Sequence, residues 1–383
     1  MNYGGYMIPF ARILGYGNVV VPSNIKKISC GDTHYVVLME SGLLYGIGYN
    51  NSNQLKDCTA TYQYYEFVVL DRNAEDVWCG SKSTLIYTKD GKWIFNGNYD
   101  VLGTKNTTGG LSPIEGDDIT NTMPSYNSVK ELDIGLYTMG YIDIDNQLYS
   151  RGWNSNGACG LGSTNRISSF TRVGTTYHQE LYVGDYSMIA RGISPTSVYL
   201  YGAGQQPYGQ FGSGNSENKY TWGIILNGGT SSFMATRAST LSYWTPTTIA
   251  GSGWQINGIL GDGVNLNTQL KSWSTKINMP SQMVIGGKLK GTPNRNIFLG
   301  TNGTFYATGL VEYSGLPQAS SIFKEIPKFT TVQDNKKVQI LGGTFYSLIF
   351  DGNDIWGVGS ISVLPGKKSD GSENNIFTKI RIN

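Results

Sequence analysis

The chain has 383 residues with a formal net charge of +2, and 15% of its residues are charged. The chain is nearly neutral, and its basic residues cluster only as short lysine pairs. These features argue against a dedicated nucleic-acid binder, which would concentrate Lys and Arg on one face. The 51 glycines and the 12% aromatic content also argue against disorder, so we expect one large folded domain.

The first clear pattern covers residues 25–55 and is typical of a strand, a tight turn, a second strand, a hairpin and a third strand. Alternating apolar residues end at Gly31, an apolar run follows from His34, and Ser41-Gly42 turns the chain back. Glycine suits two-residue hairpin turns because their twist requires positive φ. The fold prediction depends on this unit because it is repeated.

Degraded copies of the unit recur to the C-terminus, each with a glycine directly after its first strand. Four short strands in a period of about 50 residues indicate the blade of a β-propeller, so the predicted fold class is all-β. We expect these anchor glycines to adopt backbone conformations that a β-branched residue cannot. The anchor glycines, 45 to 58 residues apart, are Gly31, Gly80, Gly135, Gly184, Gly229, Gly287 and Gly343.

The two termini together resemble one more, divided copy. Residues 1–24 read as the later strands of a blade, and residues 376–383 read as its missing first strand. A circular array must close or expose two strand edges, and lending the last strand to the first blade is the usual solution in propellers. We therefore predict a single propeller domain over residues 1–383, closed by the C-terminal strand, with eight blades by repeat count.

Two copies carry a recognisable residue pattern, namely Cys30-Gly31, His34, Tyr45, Gly48, Asn50 and Gln54-Leu55 in the first full copy, and Gly152, Trp153, Asn154 and Gly160-Leu161-Gly162 in the third. This pattern resembles the repeat of the regulator of chromosome condensation family of β-propellers. The resemblance covers nearly the whole chain and implies seven blades rather than eight. It also implies that His34 is a hydrogen-bonded histidine bracing neighbouring blades.

The family resemblance implies no single function. Members act as nucleotide-exchange factors for a small GTPase, as parts of ubiquitin ligases, or as bacterial and phage proteins of varied role. One fold can carry many unrelated activities, so function has to be argued from a site.

No convergent set of titratable groups for catalysis is visible in the sequence. His178 has no visible partner, and the neighbouring aspartates Asp117-Asp118 and Asp143 with Asp145 read as turn formers. No Cys/His cluster has metal-ligand spacing, and no glycine loop opens a helix to cradle phosphate. We expect no enzymatic activity, no cofactor, no metal and four free thiols.

The repeats grow after the third strand, whereas the turns between the second and third strands stay short. The third strand of an up-and-down blade always ends on the same face, so long loops must crowd that face. The added segments are 98–128, 153–176, 203–221, 245–281, 310–336 and 360–375.

Aromatic residues stand in these loops among Gly, Ser, Asn and Thr. For each residue alone, packing of the loop is the favoured alternative to ligand contact. As a set on one rim they predict a recognition surface for sugars or for another protein. The predicted binding residues are Tyr126, Trp153, Tyr208, Phe211, Tyr220, Trp254, Trp273 and Tyr313.

These features favour a non-enzymatic structural protein of a bacteriophage or phage-like particle, at the tail, with other virion proteins or a host surface glycan or protein as partner. The N-terminus lacks a signal-peptide pattern and no run approaches the length of a membrane span. We therefore expect synthesis in the host cytoplasm, a virion location, no membrane insertion and no nucleic-acid partner. Frequent Asn, Ile, Lys and Tyr favour a low-GC bacterial host.

Two other classes stay open. A cytoplasmic regulator of the nucleotide-exchange or chromatin-associated type would carry an acidic or basic functional face. A glycan-processing enzyme on the same ring would need two buried, opposed carboxylates in the central channel.

Overall fold

Antiparallel four-stranded units repeat along the chain, and the strands of each unit pair in chain order except where blade 6 inserts one short strand. We call each unit a blade and number the blades from the N-terminus. The computed structural model describes residues 24–55, 62–104, 114–193, 199–227, 232–236, 240–244, 247–254, 257–264, 269–274, 277–290, 295–360, 364 and 374–382.

Blades 1 and 2 are separate four-stranded sheets. Their strands are β1 (Ile25–Cys30), β2 (His34–Met39), β3 (Leu44–Tyr49) and β4 (Gln63–Asp71), then β5 (Ala74–Gly80), β6 (Ser83–Thr88), β7 (Trp93–Gly97) and β8 (Ile114–Asp118).

Blades 3 and 4 share one long strand. The 17-residue β12 pairs with β11 through its first half and with β13 through its second half, so it is the outer strand of blade 3 and the inner strand of blade 4. The strands of this pair are β9 (Val129–Ile134), β10 (Thr138–Asp143), β11 (Gln147–Gly152), β12 (Ile167–Val183), β13 (Ser187–Gly192), β14 (Tyr199–Gly204) and β15 (Lys219–Asn227).

Blades 5 to 7 complete the described residues. In blade 5 the outer strand is broken into two short pieces that both pair with β18. The strands are β16 (Ser232–Thr236), β17 (Thr240–Trp244), β18 (Thr248–Trp254), β19 (Gln269–Leu270), β20 (Ile277–Asn278), β21 (Met283–Gly286), β22 (Lys288–Leu289), β23 (Arg295–Gly300), β24 (Phe305–Gly309), β25 (Ser320–Glu325), β26 (Gln339–Gly342), β27 (Tyr346–Phe350), β28 (Ile355–Gly359) and β29 (Asn374–Ile380).

Helical structure in the described residues is limited to single turns. These are 3₁₀ turns at Tyr99–Leu102, Thr120–Thr122 and Tyr126–Ser128, and α1 at Val311–Ser314. Within the part of the chain that the structure describes, no helix has the length and apolar character needed to cross a membrane.

The C-terminal strand occupies a different place from the predicted one. β29 pairs with β28, so most of the segment 376–383 is the outer strand of blade 7 rather than the inner strand of an eighth blade. Residues 1–23, nearly all of the N-terminal part of the predicted closing blade, lie outside the described residues. The described residues form seven blades, the number that the family resemblance implies.

The anchor assignment also differs in blade 5. The strand before Gly229 is β15, which pairs with β14 and is therefore the outer strand of blade 4. The inner strand of blade 5 is β16, which follows Gly229 in the chain; Gly229 itself lies outside the described residues. The sequence pattern failed here because an outer and an inner strand follow each other with similar apolar residues.

The anchor glycines lie where neighbouring inner strands approach most closely. A Cβ on Gly135 would lie 1.8 Å from the carbonyl oxygen of Gly184, and one on Gly343 would lie 2.1 Å from that of Asp32. A Cβ on Gly80 would lie 2.7 Å from the carbonyl oxygen of Gly135. These glycines do not have positive φ. The expected reason was therefore wrong: glycine is needed for close backbone approach rather than for an unusual conformation.

Blades 7 and 1, the last and the first that are described, contact each other directly. The Tyr346 hydroxyl donates to the carbonyl oxygens of His34 at 2.6 Å and Gly31 at 3.0 Å, and all three groups are buried. The Tyr346 ring also packs on Tyr35 at 5.5 Å. The backbone N–H of Thr344 donates to the carbonyl oxygen of Asp32 at 2.6 Å. Polar and apolar contacts thus join the two ends of the blade series.

A short segment of blade 6, residues 287–290, reaches across to other blades. It contains β22, which pairs in parallel with β16 of blade 5. The Tyr182 hydroxyl of blade 4 donates to the Leu289 carbonyl oxygen at 2.9 Å. Lys290 Nζ donates to Asp133 Oδ1 at 2.6 Å and to backbone carbonyls of blades 3 and 4. We call residues 287–290 the central segment, because it links the inner strands of several blades.

We predict that Gly135→Ala lowers the free energy of unfolding by about 3 kcal/mol, because the new Cβ forces neighbouring backbones apart. Urea denaturation measures this change. Gly223→Ala is the matched control, since only the flexible end of Lys219 lies near its Cβ position and the expected loss is under about 1 kcal/mol. Equal losses in the two variants would contradict the close-approach account.

We predict that Tyr346→Phe lowers the free energy of unfolding by about 1 to 3 kcal/mol, because the buried carbonyl oxygens of Gly31 and His34 lose the hydroxyl donor, and His34 keeps only the backbone N–H of Gly31. Thermal and urea denaturation test this loss. Tyr220→Phe, on a side chain that is 43% exposed, should leave stability within about 0.5 kcal/mol of the wild type. A Tyr346→Phe protein as stable as the wild type would show that this contact contributes nothing.

Candidate functional site

The antiparallel order of the strands gives the blades two distinct faces. Third strands end and fourth strands begin on one face, which we call the loop face. First strands begin, and second strands turn into third strands, on the opposite face, which we call the turn face. The sequence prediction placed the binding residues on the loop face.

The long loops are interlocked rather than independent. Leu161 in the loop of blade 3 pairs with Thr221 of blade 4. Equivalent bridges join Ser213 of blade 4 to Ser272 of blade 5, and Asp262 of blade 5 to Ile322 of blade 6. Each of these three loops therefore lies against the outer-strand region of the following blade.

Glycine makes this interlocking possible in blade 4. Gly209 has φ of 72°, and a Cβ there would lie 2.5 Å from Lys271 Cα of blade 5. Both the left-handed conformation and the close approach exclude larger residues. The tight loop holds Tyr208 beside Trp254, and the two rings stack with centroids 4.9 Å apart and planes within 9°.

A second aromatic group lies where blades 3 and 4 meet on the loop face. Tyr137 contacts Trp153 edge to face at 4.8 Å and Tyr186 at 5.2 Å, and all three rings are half-buried. The Arg166 guanidinium lies 5.3 Å from the Trp153 ring and pairs with Asp100 of blade 2 at 3.1 Å. We call Tyr137, Trp153 and Tyr186 the aromatic cluster.

Three of the predicted binding residues pack inward instead. Phe211 is fully buried between blades 4 and 5. Trp273 packs against the same apolar cluster, and its Nε1 donates to the Ile225 carbonyl oxygen at 3.4 Å. Tyr313, in α1, lies 5.7 Å from the buried Arg295 guanidinium. These rings fix the loops, which is the packing role that was the alternative for each.

Tyr126 lies on the other face. The segment 98–128 contains the outer strand β8, so the chain has returned to the turn face before Tyr126. Its ring stacks on Tyr87 at 4.1 Å, and its hydroxyl donates to Asp76 at 3.2 Å. Tyr126 is therefore not part of a loop-face surface.

Four residues of the predicted set remain as loop-face candidates, namely Trp153, Tyr208, Tyr220 and Trp254, whereas the half-buried Trp273 and Tyr313 contact groups beneath the loops. Sequence reasoning missed Tyr137 and Tyr186. Each stands two residues after an anchor glycine, in the turn from the first to the second strand. Alignment of that turn would have found both.

The two histidines are buried and neutral. His34 Nε2 lies 3.2 Å from Thr84 Oγ1, which joins blades 1 and 2, and burial lowers the pKa of His34 to about 3. Trp222 Nε1 donates to His178 Nε2 at 3.3 Å, and burial lowers the pKa of His178 to about 4. Both imidazoles serve packing between or within blades.

The remaining candidate chemistry is similarly structural. In the described residues no group of three or more His, Cys, Asp or Glu side chains could hold a metal ion. Cys30, Cys79 and Cys159 are buried free thiols, and Cys58 lies outside the described residues. Burial raises the pKa of Cys79 and Cys159 to about 12, so neither forms a reactive thiolate near neutral pH.

The blades and the anchor glycines define a β-propeller, and its repeat resembles that of the regulator of chromosome condensation family. Residues 25–54 match the family description "Regulator of chromosome condensation (RCC1) repeat". The expected resemblance to the repeat of this family is therefore confirmed at residues 25–54.

Among curated proteins, the human "Probable E3 ubiquitin-protein ligase HERC4" is 28% identical over 159 residues, covering 39% of this chain and 14% of the relative. The Rattus norvegicus protein of the same name is 25% identical over 204 residues, covering 50% of this chain and 18% of the relative. The chain thus spans less than a fifth of the length of these relatives.

Solved structures share the fold at low sequence identity. Human WBSCR16 has a TM-score of 0.68 at 17% identity, covering 85% of this chain and 87% of that chain. Prp20p from Saccharomyces cerevisiae, described with its binding properties to Gsp1p and histones, has a TM-score of 0.65 at 12% identity, covering 88% of this chain and 83% of that chain. At these identities the likeness concerns the fold.

We predict that acid destabilises the protein partly through His178. The pKa of histidine in the unfolded chain is about 6.5, whereas burial lowers the pKa of His178 in the folded protein to about 4. Between these two values the unfolded state binds a proton that the folded state does not. Stability that is present above pH 6.5 is therefore lost as the pH falls toward 4. The expected contribution is about 1.4 kcal/mol per pH unit. His178→Gln should flatten this dependence between pH 6.5 and 5 in urea denaturation. An unchanged slope would contradict the assignment.

Proposed function

We propose that the protein is a non-enzymatic binding module that engages a macromolecular partner through its loop face. The observation that carries this proposal is the pair of aromatic groups, the aromatic cluster and the Tyr208–Trp254 stack, on interlocked loops. Rigid rings contribute apolar contact area with little loss of side-chain freedom. Loops that are already fixed lose little further entropy on binding.

Within this class we propose a structural protein of a bacteriophage or phage-like particle, located at the tail. Its partners would be a host surface glycan or protein, or a neighbouring virion protein. The low charged fraction of 15% and the 26 tyrosines support contacts through neutral hydrogen bonds and aromatic area. Flat aromatic platforms gain modest affinity singly, and several copies on one particle would compensate through avidity.

The alternative is a cytoplasmic regulator of the nucleotide-exchange or chromatin-associated type. The repeat match at residues 25–54 favours it as much as it favours a particle protein. Binding to Gsp1p and histones is a property described for Prp20p, and the same kind of partner is the alternative proposed for this chain. The formal net charge of +2 argues against a strongly basic contact surface for chromatin.

We predict that the fluorescently labelled protein binds cells of a low-GC bacterial host and that Tyr208→Ala with Trp254→Ala reduces this labelling at least about tenfold. Flow cytometry measures the labelling. Tyr126→Ala with Asp90→Ala, on the turn face, is the matched double control and should label normally. Melting curves of each variant separate lost binding from lost folding.

Four outcomes distinguish the proposals. Labelling that depends on the loop face supports the receptor-binding role. Tight binding to another particle protein through the same residues replaces it with an assembly role. Binding of a small GTPase or nucleosomes without cell labelling would favour the regulator, and loss of labelling in the turn-face control would overturn the loop-face assignment.

A further inference from the structure

A cavity of about 590 Å³ opens among the inner strands on the turn face. Its walls come from blades 3, 4, 6 and 7, and Lys288 of the central segment lines it. Clefts of this size hold small organic ligands in many proteins. The loop-face proposal does not use this cavity, which lies on the opposite face.

One wall of the cavity is charged. Lys288 Nζ lies 3.3 Å from Glu180 Oε1 and 3.6 Å from Glu131 Oε1, and it donates to the Leu181 carbonyl oxygen at 3.2 Å. Arg191 Nε donates to Glu180 Oε2 at 3.0 Å. Glu180 therefore has two close cations, whereas Glu131 has one cation, Lys288, at the longer distance, and a backbone hydrogen bond with Leu181.

The two carboxylates do not form the opposed pair that glycan hydrolysis requires. They stand on neighbouring inner strands, β9 and β12, with one lysine ammonium between them. Burial raises the pKa of Glu131, and although burial disfavours the charged ammonium, the carboxylates of Glu180 and Glu131 raise the pKa of Lys288. In this arrangement the charge of the Glu131 carboxylate is only partly compensated. The two carboxylates do not stand as a general acid and a general base on opposite sides of a glycosidic bond.

The facing wall is apolar. Its apolar residues are Val284 and Ile285 of blade 6 and Ile340 and Leu341 of blade 7, and Gln339 lies beside them. A ligand that fits both walls carries a positive charge at one end and an aliphatic body. The cations that line the cavity, Lys288 and Arg191, both contact Glu180. An anion that entered the cavity would therefore be repelled by the carboxylates of Glu131 and Glu180.

We propose that the turn-face cavity binds a primary aliphatic ammonium group, with Glu131 as its counter-ion and the blade 6 and blade 7 side chains against its hydrocarbon chain. A free diamine and the side chain of a lysine in a partner both present this chemistry. Beyond the aliphatic chain, a free diamine carries a second ammonium group, whereas a lysine side chain continues into the backbone of the partner. An open cavity of this volume admits either.

Isothermal titration calorimetry of the full chain with 1,5-diaminopentane and with Nα-acetyl-lysine methylamide tests the proposal. We expect saturable one-to-one binding of at least one probe, and the tighter probe identifies the source. Glu131→Gln should weaken binding at least about tenfold, because it removes the counter-ion and keeps the side-chain volume. Glu75→Gln, the same change on the inner strand of blade 2 and outside the cavity, should leave binding unchanged.

Lys288→Met provides a second test with the opposite sign. Removing the internal ammonium leaves Glu131 without its cation, whereas Glu180 keeps Arg191, so the probes should bind more tightly to this variant. Absence of saturable binding to the wild-type protein would overturn the proposal, as would Glu131→Gln and Glu75→Gln binding alike. Weaker binding by a folded Lys288→Met variant would also contradict it.

Discussion

The close backbone contact between neighbouring inner strands is the constraint on which the rest of the structure depends. Backbone N–H groups directly after the anchor glycines donate to the next blade, from Asp32 to Ser81 at 3.1 Å and from Ser81 to Gly135 at 3.2 Å. Thr344 makes the corresponding contact from blade 7 to Asp32 of blade 1. These bonds need glycine beside them, because a Cβ would occupy the space of a neighbouring carbonyl oxygen.

Around these inner contacts, the two faces of the propeller differ in the length of their connections. On the loop face, long loops lie on the following blade and hold aromatic rings in fixed places. On the turn face the turns are short, and a cavity opens among the inner strands. Lys288 of the central segment lines this cavity. The same propeller thus presents two aromatic groups on one face and a charged cavity on the other.

The repeat and its anchor glycines predicted most of the fold, because strand alternation and turn glycines are local signals. The assignment failed at Gly229, where an outer and an inner strand have similar apolar patterns. The role of the central segment could not be predicted, since Lys290 contacts Asp133 across 157 residues of sequence. Long-range contacts of this kind leave no periodicity in the sequence.

The candidate site was predictable only in part, for a related reason. Aromatic composition identified Trp153, Tyr208 and Trp254, which lie half-buried on the loop face. Composition could not separate them from Phe211 or Trp273, because their burial depends on the strand of the next blade. Tyr126 was predicted on the loop face because the short strand β8 was not recognised within the segment 98–128.

Native-state hydrogen exchange of the backbone amides of Asp32, Ser81 and Thr344 tests the central claim most directly. These three amides form the contacts from blade 1 to 2, from blade 2 to 3, and from blade 7 to 1. If the blades form one closed cooperative ring, all three amides should exchange only with global unfolding and with the same free energy. Faster exchange at Thr344 than at Ser81 would show that blades 7 and 1 separate on their own, and would contradict the account.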